Sequence, residues 1–175
     1  MGQYRARDLL LVPSLLSMLR VPLAAVFPFV LGAPAVAFGV LATAGLTDVL
    51  DGWYARTRNQ TTPTGAVADA VTDKIFVATV VVTLVLFHKM TLVEALFLGT
   101  REVGELPLVV RLAFSHEARE KQTDRRANVP GKAATVLQFV AVTAVLFGAP
   151  HIEIYLGAAA GAGVLAAITY WMRER

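Results

Sequence analysis

The stretch "TDVLDGWYARTRNQTTPTGAVADAVTDKI" (Thr47 to Ile75) sets four aspartates, Asp48, Asp51, Asp69 and Asp73, beside long apolar runs. A carboxylate at membrane depth is costly unless it pairs, meets water or binds a cation. Asp48, Asp51, Gly52, Ala55 and Arg56 are spaced to share one helix face. Gly65, Asp69 and Asp73 follow at four-residue spacing, and "TRNQTTPT" turns the chain between the two groups. The pattern predicts two helices that present carboxylates toward each other. Helix capping does not account for Asp48 and Asp69, which lie one to two turns inside their segments.

Four like charges at this range repel, and a divalent cation, or two, would relieve the repulsion. An all-oxygen donor set without Cys or His favours Mg²⁺, Mn²⁺ or Ca²⁺. Two metals held by carboxylates suit phosphate chemistry, because they clamp both the attacking and the leaving oxygen. Gly52 and Ala55 keep side-chain bulk off the same face, leaving room for a ligand. Arg56 adds a planar cation suited to a phosphate.

Composition sets the frame for this cluster. With 56% hydrophobic residues and a mean hydropathy of +0.60, the chain is neither an ordinary soluble domain nor a disordered one. The apolar residues fall in long blocks, which read as membrane spans. There are no cysteines, so there is no disulfide framework and no thiolate metal site. Arg5 and Arg7 precede an apolar run, as in a signal peptide. Pro13, Arg20 and Pro22 interrupt that run, however, and no small-residue cleavage site follows, so the segment is taken as part of the mature protein.

The fold class expected is an all-α integral membrane protein with six transmembrane helices, forming one domain over residues 1–175. The expected spans are Leu15 to Leu31, Pro34 to Arg56, Thr64 to Phe87, Thr91 to Phe114, Pro130 to Phe147 and Ile152 to Trp171. Short connections at Gly32–Ala33, His88–Met90 and Gly148–His151 join them as hairpins. "RARDLLLVPSLLSMLR" reads either as an N-terminal interfacial helix feeding the first span at Pro13 or as a frayed terminus.

The basic residues outside the spans gather on one side of this map. They are Arg5, Arg7, Arg56, Arg58, Arg119, Lys121, Arg125, Arg126, Lys132, Arg173 and Arg175, against Lys89 alone on the other side. The positive-inside rule then puts both termini and the aspartate cluster at the cytoplasmic face. His88, His116 and His151 fall near span ends or loops and read as surface residues. Tyr170 and Trp171 read as an interfacial belt. "GAAAGAG" (Gly157 to Gly163) has the small-xxx-small pattern of closely packed helices, within the subunit or across a dimer.

The pattern Asp48-x2-Asp51-Gly52-x2-Ala55-Arg56-x8-Gly65-x3-Asp69-x3-Asp73 resembles, at all eight fixed positions, the signature of the CDP-alcohol phosphotransferase family. The resemblance implies a six-helix homodimer with a cytoplasm-facing cavity. There an acceptor hydroxyl displaces CMP from a CDP-linked lipid such as CDP-diacylglycerol. It implies two ions of Mg²⁺ or Mn²⁺ held by Asp48, Asp51, Asp69 and Asp73, with Asp73 also the general base. Gly52, Ala55, Arg56 and Gly65 would border the CDP moiety.

Further segments look like the phosphatidylglycerophosphate synthase branch. "PSLLSMLRVPLA" (Pro13 to Ala24) is similar to its "PNLLTLLR" segment, with Ser14 and Ser17 in place of Asn and Thr, and adds these two serines to the CDP-lipid set. "DKI" after Asp73 is also similar to that branch. "REVGELPLVVR" (Arg101 to Arg111) resembles its "RE" motif, and "GKAATVLQ" (Gly131 to Gln138) its "GKxKTxxQ", with Ala134 in place of a Lys.

Arg101, Arg111 and Lys132 are the residues expected to meet an acceptor phosphate, with Glu102 and Glu105 pairing with or holding Arg101. The expected acceptor is glycerol 3-phosphate. The missing Lys at position 134 keeps a CDP-dependent cardiolipin synthase, whose acceptor is phosphatidylglycerol, as the alternative. Membrane lipids are expected partners and nucleic acid is not. A cation transporter is the competing class. Transporters, however, place ionisable groups near the bilayer midplane at broken helices, and this cluster sits at one surface.

Overall fold

The computed structural model describes residues 11–58, 62–104 and 129–173, and the regular structure among them is helical. The chain divides into two compact units, Met1–His88 and Lys89–Arg175. The N-terminal segment before residue 11, and with it the first six residues of "RARDLLLVPSLLSMLR", lies outside the described residues.

The first unit contains α1 (Val12–Met18), α2 (Arg20–Val30), α3 (Pro34–Thr57) and α4 (Pro63–Leu86). Proline stands in the first turn of α1, α3 and α4, where its missing N–H is not needed. Thr62 caps α4, its Oγ1 accepting from the Gly65 N–H at 3.1 Å. α1 and α2 are nearly one helix. Pro22 has no amide hydrogen for the carbonyl of Met18, and the ladder slips at Leu19, whose N–H reaches both Leu15 and Leu16 carbonyls at 3.2 Å.

The packing of this unit follows from three apolar stripes at helical spacing. Ala24, Phe27 and Leu31 run along and just past α2, Ala37, Leu41 and Ala44 along α3, and Phe76, Val80 and Leu84 along α4, all buried. α1 and α2 pack against both α3 and α4. The sequence pattern set α3 and α4 face to face, whereas in the structure the first-span helices bridge them. The outward faces stay apolar. Phe29 is 88% exposed, and Leu46, Val49 and Leu86 are exposed as well, a surface suited to lipid rather than water.

The second unit contains α5 (Leu92–Leu98), α6 (Val129–Phe147) and α7 (Ile152–Arg173). Thr91 and Glu94 form a capping box at the start of α5, with Thr91 N–H donating to Glu94 Oε2 at 2.7 Å and Glu94 N–H to Thr91 Oγ1 at 3.2 Å. Gly99 ends α5, and the helix resumes over residues 100–104. α6 and α7 form a hairpin across a turn in which Gly148 and His151 adopt φ of 60° and 57°. Alanines let the two helices approach: Ala134, Ala141, Ala144, Ala159, Ala160 and Ala166 are buried.

Among the described residues, four helical stretches are long and apolar enough to cross a membrane: Val12–Val30, Pro34–Ala55, Pro130–Phe147 and Ile152–Thr169. They match the first, second, fifth and sixth expected spans. α4 is as long as α3 at 24 residues, about 36 Å at helical rise. It does not qualify by composition, because Asp69, Asp73 and Lys74 crowd its apolar run. The expected fourth span continues past residue 104, outside the described residues. His88 and His151 are exposed at helix ends, as expected, and His116 lies outside the described residues.

The "GAAAGAG" stretch does its close packing inside the second unit, at its last glycine. A Cβ on Gly163 would stand 2.6 Å from Thr100 Oγ1 and 3.0 Å from Arg101 N. Gly157 and Gly161 face open space. Gly163→Ala is therefore expected to lose about 1–3 kcal/mol to overpacking. Gly161→Ala should be neutral or gain up to about 1 kcal/mol from helix propensity. Thermal unfolding of the two variants in detergent measures the difference.

Candidate active site

Three carboxylates meet in the first unit. Oxygens of Asp48, Asp51 and Asp69 lie within 4.8 Å of one another. α3 supplies the first two from adjacent turns and α4 supplies the third, two turns in from its Thr62 cap. At about 4 Å, two like charges repel by about 4 kcal/mol in the effective dielectric near a protein surface. Something positive has to lie among them, and in this structure it is Arg20.

Arg20 opens α2 and is buried, its side chain 1% exposed. Its Nη2 donates to Asp48 Oδ1 at 2.7 Å and to Asp51 Oδ2 at 2.8 Å, and its Nη1 donates to Asp69 Oδ1 at 2.8 Å. Ser17, one turn earlier on α1, donates its hydroxyl to Asp51 Oδ2 at 2.8 Å, with the Pro13 carbonyl a second acceptor within reach at 3.1 Å. The helices that bridge α3 and α4 thus also carry the groups that join their carboxylates.

Exposure grades across the cluster. The Asp51 side chain is 6% exposed, that of Asp69 42% and that of Asp48 52%. The guanidinium lies on the buried side, and Asp48 and Asp69 keep surface on the open side. An all-oxygen trio at this separation fits a hard divalent cation.

Asp73, one turn beyond Asp69 on α4, is exposed and is not a member of the close trio. Gly52 and Ala55 sit half-buried on α3, just after Asp51. Gly65 permits the close approach of α1 to α4: a Cβ there would stand 3.0 Å from Thr62 Oγ1 and 3.1 Å from Ser14 Oγ. Ser14 is buried. Arg56 lies in the last turns of α3, with its side chain outside the described part.

In the second unit, Arg101 donates from Nη1 to Thr135 Oγ1 at 2.5 Å. Gln138 donates to Glu102 Oε2 at 2.9 Å and to the Leu98 carbonyl at 2.8 Å. The "RE" and "GKAATVLQ" segments are therefore linked by side-chain hydrogen bonds. Lys132 is exposed on α6. Arg111 and Glu105 lie outside the described residues. Ala134 has no exposed surface, so the lysine that the resembled branch carries at this position would be buried here.

Sequence reasoning missed Arg20 as a member of the site. The signal was present: an arginine inside an apolar run needs a partner as much as an aspartate does.

The family profile for CDP-alcohol phosphatidyltransferase matches residues 10–172, and the chain belongs to that family. With its apolar helices, the protein is an integral membrane protein. It is similar to a CDP-diacylglycerol–glycerol-3-phosphate 3-phosphatidyltransferase of Pseudomonas fluorescens, at 40% identity over 53% of this chain and 51% of that protein. It is 31% identical to a protein of the same name from Pectobacterium atrosepticum, over 91% of this chain and 89% of the relative. A cardiolipin synthase (CMP-forming) of Rattus norvegicus is 41% identical over 42% of this chain and 25% of its own length. The matched region thus spans about half of the first relative and about a quarter of the rat protein.

The exposure grade predicts an order of stability. Asp51→Ala opens the buried part of the cluster and should cost up to about 3–5 kcal/mol. Asp48→Ala removes a half-exposed partner and should cost about 1 kcal/mol or less. Thermal denaturation in detergent with EDTA tests the ranking.

Proposed function

We propose that the protein transfers a phosphatidyl group from CDP-diacylglycerol to an acceptor hydroxyl, that of glycerol 3-phosphate first, and releases CMP. The observation that carries this reading is the trio of Asp48, Asp51 and Asp69, with oxygens within 4.8 Å. It stands at the positions of the family signature, in a chain that matches the family from residue 10 to residue 172.

In this reading Asp48, Asp51, Asp69 and Asp73 hold two ions of Mg²⁺ or Mn²⁺. When bound, such ions supply charge neutralisation at a diphosphate and hold its oxygens in place. Gly52 and Ala55 leave room for the CDP-lipid, Gly65, Ser14 and Ser17 border its site, and Arg56 meets a phosphate. Asp73 accepts the proton of the acceptor hydroxyl. The hydroxyl oxygen then bonds to the phosphorus that carries diacylglycerol, and the bond from that phosphorus to the CMP oxygen breaks. Arg101, Arg111 and Lys132 bind the acceptor's phosphate.

The domain has six spans and works as a homodimer. Both termini and the site face the cytoplasm, where the basic residues gather. The bilayer setting suits a substrate with two acyl chains.

One observation favours a second acceptor. Ala134 is buried where the resembled branch carries a cation, which removes one contact to a phosphorylated acceptor. A cardiolipin synthase, using phosphatidylglycerol, is therefore the alternative.

Steady-state CMP release from CDP-diacylglycerol, with each acceptor varied, decides between them. Glycerol 3-phosphate should support Mg²⁺- or Mn²⁺-dependent turnover that Asp69→Asn lowers by orders of magnitude. Arg101→Ala should raise the KM for glycerol 3-phosphate roughly ten- to hundredfold, the value of one charge-assisted hydrogen bond, and leave the KM for CDP-diacylglycerol nearly unchanged. Turnover with phosphatidylglycerol alone would move the assignment to cardiolipin synthesis. No CMP release with any alcohol would remove the enzyme reading.

The orientation has its own test in a chain without native cysteines. Thr123→Cys should resist an impermeant thiol reagent in intact cells and react after the membrane is opened. Labelling from outside would reverse the topology.

A further inference from the structure

Arg20 does what a cation would do in the aspartate cluster. Its two terminal nitrogens reach all three carboxylates at 2.7–2.8 Å. Three carboxylates against one guanidinium leave two formal negative charges, the charge of one divalent ion. The guanidinium also pays a cost to be there. Its Nε is buried and has no hydrogen-bond partner among the described residues, although buried donors are nearly always satisfied. The side chain is aimed so that both terminal nitrogens serve carboxylates, at the expense of the third donor.

We propose that Arg20 is a positioning residue, the internal counter-ion that keeps Asp48, Asp51 and Asp69 assembled while no metal is bound. The inference rests on the metal reading of this cluster. Two consequences follow from charge and geometry. Without Arg20 the trio flies apart unless another cation gathers it, so the fold around α2, α3 and α4 becomes metal-dependent. The trio also carries one more negative charge, so it attracts a divalent ion more strongly. Arg20 therefore trades metal affinity for an assembled site.

The experiment uses the full chain in detergent, stripped with EDTA, with thermal unfolding followed against Mn²⁺ concentration for wild type, Arg20→Gln and Arg20→Lys. No substrate is present, so turnover plays no part. Arg20→Gln should unfold at lower temperature than wild type without metal and recover most of the loss with Mn²⁺. Its half-saturating Mn²⁺ concentration should fall by about fivefold or more, from the removed positive charge. Arg20→Lys keeps the charge but donates from a single nitrogen, so its values should lie between the other two. If Arg20→Gln does not fold, Arg20→Lys carries the test by the same two readouts.

A variant that is destabilised but gains no more from Mn²⁺ than wild type would make Arg20 an ordinary structural ion-pair partner and overturn the proposal, with the metal reading intact. If Mn²⁺ stabilises neither wild type nor variants, the metal reading falls and the proposal falls with it.

Discussion

One buried guanidinium holds three carboxylates from two helices. The first unit is built around that constraint. Neither the arginine nor the buried aspartate could stay inside an apolar helix cluster alone, because each charge would lack both water and a partner. Arg20 has to start α2 at the level where α3 ends and α4 begins. Ser17 has to precede it by one turn to reach the same Asp51 oxygen. The alanine and phenylalanine stripes then set the distance at which these polar groups meet. Hydrophobic packing and charge neutralisation therefore fix the same helix register.

The grading of exposure gives the cluster a direction. Arg20 and Asp51 form a closed floor, while Asp69 and Asp48 keep open surface. In the proposed function, a ligand would first meet Asp48 and Asp69, on the sides that the guanidinium does not occupy.

Much of this was legible in the sequence. The apolar blocks gave helix boundaries that the structure keeps within a few residues for the second, third, fifth and sixth expected spans, since Pro34, Pro63 and the glycines and histidines of the turns punctuate them strongly. The trio Asp48, Asp51 and Asp69 was legible because spacing on two helices sets which residues share a face. The intervening role of the first span was not. Period and spacing describe one helix at a time, and nothing in them says that α1 and α2 bridge α3 and α4. Arg20 was passed over for the same reason: its partners lie 28 to 49 residues away in sequence. Gly163 was one glycine among several in "GAAAGAG", and only its neighbours Thr100 and Arg101 distinguish it from Gly157 and Gly161.

The bridging position of the first span also has a consequence for biosynthesis. The segment that carries Arg20 leaves the ribosome before α3 and α4 exist. An arginine at the centre of an inserting helix costs about 2.5–3.5 kcal/mol on the translocon scale, and one toward the membrane surface costs less. The nascent first span therefore enters the bilayer before its carboxylate partners, and the seat of Arg20 is complete only when α3 and α4 arrive with their aspartates. Those two helices in turn bring three carboxylates, of which the buried Asp51 is held by Ser17 and Arg20 of the first span. The two parts carry opposite charges into the same unit, so Arg20 gains its partners only as the later helices arrive.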